Sequence, residues 1–271
     1  MQEYPEEIDV NSWEEFEQQL KDLREHVNSP ESAALSMLFR GQENSCWPLA
    51  TTLERSNQLE MLFQDYYRLI SRVKPQVESF TGNEWQIPGY PEVERLVQEY
   101  DAFSADLTFG RLPGYPYMAY LRHHGFPSPL LDWTRSSNIA AYFAFSKADD
   151  EMDDRKVSIY VFSAAASQGG GNRKPQMCRL GPYARTHRRH FLQQCEYTMC
   201  VIFKEDWRFE GYQKAFDARN KPGACWKFNI PSTERLKVLK SLDEYNLNSF
   251  SLFDSEEALM ETMSLRELYF R

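Results

Sequence analysis

Five short apolar segments lie at irregular intervals along the chain, and they limit its folds more than any other feature. Residues 37–41, 130–134, 157–162, 196–203 and 226–230 have strand length and strand composition. Between them run stretches with helical periodicity. Trp13, Phe16, Leu20, Leu23 and Val27 recur on one helical face, opened by Ser12 as N-cap with Glu15 three residues later. Leu62, Tyr66, Leu69, Ile70 and Val73 mark a second helix over 59–80, and further helices are predicted over 92–109, 117–124, 136–147, 231–245 and 254–270. Strands and helices do not alternate regularly, so the expected class is α+β rather than a doubly wound parallel sheet. No internal repeat interrupts this pattern. One domain is expected over 1–271, with a helical extension over 1–35 and a flexible loop over 164–185 that contains Gly169-Gly170-Gly171.

The longest purely apolar run is seven residues, 139–145, well short of the ~20 that a membrane helix needs. With 42% hydrophobic residues in 271, the chain can bury a full core. The first nine residues are acidic and carry no basic-then-apolar leader pattern. Five cysteines form no close Cys-x-x-Cys pair, which points to reduced thiols and a cytoplasmic location. His123 and His124 are adjacent and would project about 100° apart on a helix, so they are poorly placed to share an ion. No metal is expected.

Charge is unevenly placed. The chain carries 31 Lys and Arg against 40 Asp and Glu, a net charge of −9. Between Asp154 and Glu196 there is no acidic residue, while Arg155, Lys156, Arg173, Lys174, Arg179, Arg185, Arg188 and Arg189 all fall there. A basic block inside an acidic protein suits a phosphate ester or a nucleic acid; the alternative is a solvated loop that binds nothing. Phosphate-loop, dinucleotide-glycine and nucleophile-elbow motifs are missing from the sequence.

Two segments are more specific. Leu38-Phe39-Arg40-Gly41-Gln42 and residues 123–134, ending in Leu130-Leu131-Asp132-Trp133-Thr134, are followed by an Ala- and Phe-rich run at 139–145. Together they resemble the FRG domain family, over about residues 12–253. A later family segment is matched loosely by Arg189, Gln193, Cys195 and Tyr197. Arg122, Ser128, Pro129 and Cys195 depart from the family pattern, where Gln, Thr, Arg and Gly are usual.

The order of parts also resembles an ADP-ribosyltransferase, a split-sheet α+β fold. Such enzymes carry a polar residue on the first core strand, a hydroxyl or Tyr at the end of the second, and a Glu on a late strand. Arg40, Thr134 and Glu196-Tyr197 occupy these places in order. The resemblance implies a toxin or defence effector that takes NAD as substrate and transfers ADP-ribose to a macromolecule. The basic block favours nucleic acid, RNA in particular, and a restraining antitoxin or regulatory protein is expected as partner.

On that reading Glu196, Arg40 and Thr134 are the catalytic set. Glu196 would face the positive charge that develops on the ribose. Arg40 would hold the pyrophosphate by charge-assisted hydrogen bonds. Gln42, His123, Asp132, Trp133, Thr134 and Tyr142 would line the NAD site, with Trp133 or Tyr142 stacking on nicotinamide and a His123–Asp132 hydrogen bond shaping the pocket. Arg185, Arg188, Arg189 and Gln193 would meet the acceptor. Plainer alternatives stand beside these: an Arg40–Asp132 ion pair that fixes the fold, Thr134 as a helix N-cap, and Trp133 as core. If Tyr197 is buried, alternation turns Glu196 to the other side of its strand, toward solvent or a cleft. A non-catalytic module of the same fold, binding an anionic partner through the basic segment, is the rival function. Hydrolysis of NAD without an acceptor is a third.

Overall fold

In a computed structural model of the chain, the residues described are 5–27, 37–59, 61–99, 104, 107, 111–148, 154–163, 174–182, 184–219 and 225–270. One mixed sheet runs through them. Its strands are β1 (Glu6–Asp9), β2 (Met37–Gln42), β3 (Leu130–Thr134), β4 (Lys156–Ser163), β5 (Gln176–Arg179), β6 (Cys195–Phe203), β7 (Trp207–Phe209) and β8 (Cys225–Pro231). The order is β1-β8-β4-β2-β3-β6-β5, with β7 also on β6. β1 lies parallel to β8, and every other pairing is antiparallel. The helices are α1 (Trp13–Val27), α2 (Thr52–Arg55), α3 (Phe63–Thr81), α4 (Tyr90–Gln98), α5 (Tyr115–His123), α6 (Ser137–Phe145), α7 (Arg188–Leu192), α8 (Tyr212–Arg219), α9 (Arg235–Glu244), α10 (Ser249–Phe253) and α11 (Glu256–Leu268). The class is α+β.

All five expected strands form. The loop expected over 164–185 does not hold throughout, because Gln176–Arg179 is a strand whose residues pair with 198–201 of β6. Residues 164–173 of that loop, and most of 100–109, lie outside the described residues. Residues 5–27 of the expected 1–35 extension are integral to the fold. β1 joins the sheet edge, and Trp13, Phe16 and Leu20 of α1 are buried, Phe16 meeting Phe228 edge-on at 5.3 Å. Ser12 caps α1 through Glu15 N, while the Glu15 carboxylate returns to Asn11 N at 2.8 Å instead of to Ser12.

The sheet has a seam. β2 pairs with β4 from Met37 to Gln42, but it meets β3 only where Phe39 stands opposite Thr134. On one face, each side of the seam carries its own core. α1, α6 and α9 pack on β2, β4 and β8, and α3, α4 and α5 pack on β3, β6 and β7. On the other face, Tyr212, Ala215 and Phe216 of α8 pack with Leu38 and Phe162 from one side and Leu131, Trp133 and Cys200 from the other. A hydrogen-bond chain from Trp133 Nε1 to Thr198 Oγ1 (2.8 Å) and on to Tyr212 OH (2.6 Å) anchors this helix behind the seam.

Gly41 explains the glycine of the Phe-Arg-Gly run. A β-carbon there would stand 2.0 Å from Ala140 O and 2.6 Å from Ala144 N. β2 therefore lies directly on α6, whose Ala140, Ala141 and Ala144 are all buried.

Candidate active-site cleft

A cleft enclosing about 750 Å³ of space, its open mouth included, lies at the seam. Arg40 and Gln42 reach it from β2, Asp132 and Thr134 from the end of β3, and Gln193 and Cys195 from the entry to β6. Glu43, Trp47, Arg55 and Phe143 complete its rim.

Arg40 is the centre of its electrostatics. Its Nη1 donates to the backbone carbonyl of Asp132 at 2.8 Å and lies 3.2 Å from Asp132 Oδ2. Arg122 of α5 takes the other carboxylate oxygen at 2.6 Å. Burial alone would raise the Asp132 carboxyl, but the Arg122 and Arg40 guanidiniums outweigh it and hold the group well below the usual carboxylate range. Arg55 adds a third guanidinium at the mouth. Burial and then its neighbours Arg40 and Arg122 lower its pKa, and Asp132 partly opposes them. Three guanidiniums thus gather around one paired carboxylate.

Two polar atoms in the cleft wall lack a hydrogen-bond partner among the described residues: Arg40 Nε and Gln42 Oε1, both buried. The Gln42 amide is oriented because its Nε2 donates to Pro48 O at 3.3 Å. A donor and an acceptor left this way inside a cationic cleft are what an anionic, hydrogen-bonding ligand would satisfy.

Several expected roles need correction. The His123–Asp132 hydrogen bond does not form, because Asp132 is taken by the two arginines. His123 instead pairs through Nε2 with Tyr197 OH at 2.7 Å. Burial lowers the His123 pKa to about 4, with Asp132 pulling upward and His190, His187 and Arg122 adding to the depression, so the imidazole is neutral. Thr134 is buried and contributes its hydroxyl to the turn, accepting from Ser136 N at 3.2 Å, but the cap of α6 is Ser136, which accepts from Ile139 N. Trp133 touches the cleft, yet its ring is core, packed 5.5 Å from Phe162. Tyr142 is also buried and faces a neighbouring cavity against Ser249 and Ala258, not the cleft. Besides the buried rings of Phe39 and Trp133, the cleft is lined by two further aromatic residues, Trp47, which is exposed, and Phe143. Sequence reasoning passed over both. The signal available for Trp47 was its place five residues beyond Gln42.

Glu196 does not line the cleft. Tyr197 is buried, as expected, but so is Glu196, at 1% exposure, because both faces of β6 are covered. Its Oε2 accepts from Arg179 Nε and lies the same 2.6 Å from Arg179 Nη2, with Arg135 4.0 Å from the other oxygen. Opposite Glu196 stands Trp133, on the face covered by α8. The carboxylates that do line the cleft are Asp132, already committed, and Glu43. Burial raises the Glu43 carboxyl, with Lys147 pulling it back.

Glu43 and Phe143 also line the second cavity, beside the cleft, together with Lys147, Arg189, Phe253 and Glu261. Arg189 lies over the Phe253 ring at 5.4 Å. Arg188 is exposed and pairs with Asp254, and Arg185 is exposed. Gln193 is tied down, its Nε2 donating to Leu252 O at 3.2 Å.

Residues 35–153 match the family model described as FRG domain. The match covers β2, α2 to α6 and β3, and so contributes Arg40, Glu43, Asp132 and Thr134 to the cleft. The looser resemblance around Gln193 and Cys195 falls outside it. Neither the curated proteins nor the solved structures include a match to the chain. Among the described residues no helix is long and apolar enough to cross a membrane.

Proposed function

We propose that the chain is an NAD-dependent ADP-ribosyltransferase acting on a macromolecule, with nucleic acid, RNA in particular, as the favoured acceptor, in a toxin or defence role. The observation that carries this reading is the cleft at the sheet seam, where Arg40, Arg55, the unpartnered Arg40 Nε and Gln42 Oε1, and the rim rings of Trp47 and Phe143 converge. Guanidiniums suit a pyrophosphate, the amide suits ribose hydroxyls, and a rim ring suits a flat base or nicotinamide.

In the reaction the bond between C1′ and the nicotinamide nitrogen breaks, and its electron pair leaves with nicotinamide. Positive charge develops on the ribose. A lone pair of the acceptor then forms the new bond to C1′ and the acceptor gives up a proton. A carboxylate beside the ribose favours the charge and can take the proton. The role assigned to Glu196 passes to Glu43, which lines the cleft and the adjoining cavity where an acceptor would enter. Arg189 flanks that cavity, and Arg185 and Arg188 extend the cationic surface toward a nucleic-acid chain.

A second reading rests on one observation: Glu196 is held by Arg179, as in a module that binds an anion without chemistry. The test is incubation with labelled NAD and separate RNA, DNA and protein fractions, beside Glu43→Gln. Label in one fraction that is lost with Glu43→Gln supports transfer. Neither label nor nicotinamide from folded protein rejects it, and salt-sensitive binding that falls when Arg185, Arg188 and Arg189 are changed would then support the anion-binding module.

A further inference from the structure

Four of the chain's five histidines come together near Cys195, one wall of the cleft. His123 and His124 close α5, and His187 and His190 lie at α7; the His123 ring is 6.3 Å from His187 and 6.4 Å from His190, and the His124 ring 5.0 Å from His187. Cys195, the first residue of β6, joins them. One ligating atom each from His123, His190 and Cys195 all fall within 4.8 Å of one another.

The tautomer of His190 sharpens this. Its Nε2 lies 3.0 Å from the carbonyl of Pro182. A carbonyl only accepts, so Nε2 carries a proton, and Nδ1 is the nitrogen whose lone pair is offered whenever the ring is neutral. That Nδ1 is buried with no partner among the described residues, in a residue that is itself only 8% exposed. The ring is also fixed in orientation, stacked on Tyr197 at an interplanar angle of 9°. An imidazole held by a backbone carbonyl through one nitrogen, with a bare lone pair on the other, has the outer-shell arrangement of a metal ligand.

We infer that His123, His190 and Cys195 bind a divalent ion of the zinc type, with a fourth position open toward the cleft. Two imidazoles and a thiolate are the donor set such an ion prefers, and three protein ligands leave one site for water or substrate. A tetrahedral ion with ordinary zinc bond lengths spaces its ligand atoms about 3.3–3.6 Å apart, so the trio closes by little more than 1 Å. Cys195 lines the cleft, which supplies the entry path. The thiol loses its proton on binding and the two rings enter neutral. The ion would join the end of α5, α7 and the start of β6, elements that the sequence separates widely. His124 and His187 pack beside the site without supplying ligands.

The test uses the full chain, purified without chelator, assayed for zinc content and titrated with Co²⁺ while the d–d bands and the thiolate-to-cobalt charge-transfer band are followed. One equivalent should bind with both features. Cys195→Ser should abolish the charge-transfer band and, like His190→Gln, weaken binding at least tenfold. His124→Gln, His187→Gln and Cys46→Ser should leave the spectrum unchanged. Far-ultraviolet circular dichroism checks that each variant folds, and His123→Gln serves where Cys195→Ser does not. Absence of bound zinc together with no cobalt uptake by wild type would overturn the inference, as would a charge-transfer band that survives Cys195→Ser or disappears with Cys46→Ser.

Discussion

Arg40 donates to the backbone carbonyl of Asp132 at the point where a continued β2–β3 ladder would have set Gly41 opposite Asp132. A side chain has replaced the strand pairing, and the cleft exists because of it. Arg40→Lys offers a shorter, flexible ammonium where Nη1 of a rigid guanidinium now meets both carbonyl and carboxylate. The pair lies between the exposed and buried limits, Arg40 at 13% and Asp132 at 37% side-chain exposure. Arg40→Ala should therefore cost about 2 kcal/mol, and Arg40→Lys about half of that, in urea unfolding.

Gly41→Ala should be far worse than its size suggests. The added carbon meets backbone on α6, which cannot turn aside, so a loss of about 3 kcal/mol or failure to fold is expected. Gly82→Ala is the contrast. Gly82 ends α3 at φ +69° with nothing within 4 Å of an added β-carbon, so only the backbone conformation is penalised, at about 1 kcal/mol. Thermal melting of the two variants should separate them clearly.

Asp132 sets an acid limit. Arg122 and Arg40 hold its folded pKa below its unfolded value, with His123 adding to the same effect. The stability it contributes is complete above the ordinary carboxylate range near ~4 and is lost as pH falls toward the folded value. Unfolding free energy measured between about pH 6 and 2 should show this fall, and Asp132→Asn should lower the plateau and flatten the slope.

Glu43→Gln and Glu196→Gln should separate chemistry from folding. Glu43→Gln should leave the melting temperature within a degree or two and reduce ADP-ribosyl transfer at least about tenfold. Glu196→Gln breaks a buried ion pair with Arg179 and should cost about 2–4 kcal/mol, so any activity it loses should return at lower temperature. Equal melting temperatures for the two would contradict the placement of Glu196 in the core.

Trp47→Ala should fold normally, since the ring is 47% exposed, and weaken NAD binding by about tenfold, or ~1.4 kcal/mol. Calorimetric titration with NAD would measure it.

The long strands and amphipathic helices were legible because apolar runs and helical spacing carry their own signal. β1, β5, β7, α2, α7, α8 and α10 were not, since elements this short take their hydrogen bonds and cover from distant neighbours. Missing β5 also concealed the partner of Glu196, because Arg179 reaches it only when Gln176–Arg179 lies along β6. Arg40, Gln42, Asp132 and Thr134 were legible as a site from their motifs. Trp47, Glu43 and Arg55 became visible only once the seam opened beside them. The gathering of His123, His190 and Cys195 likewise depends on how α5 and α7 meet β6.

A sheet resists bending because its ladder transmits load from strand to strand. Here the load crosses from β2 to β3 through one backbone pair, one guanidinium and the α8 strap behind. The molecule is thus two stiff plates joined along a compliant line, with the cleft at the line's open side. A ligand bridging Arg40 on one plate to Arg55 and Thr134 on the other would pin the plates together. Its signature would be slowed hydrogen exchange along both strand edges, at residues it never touches.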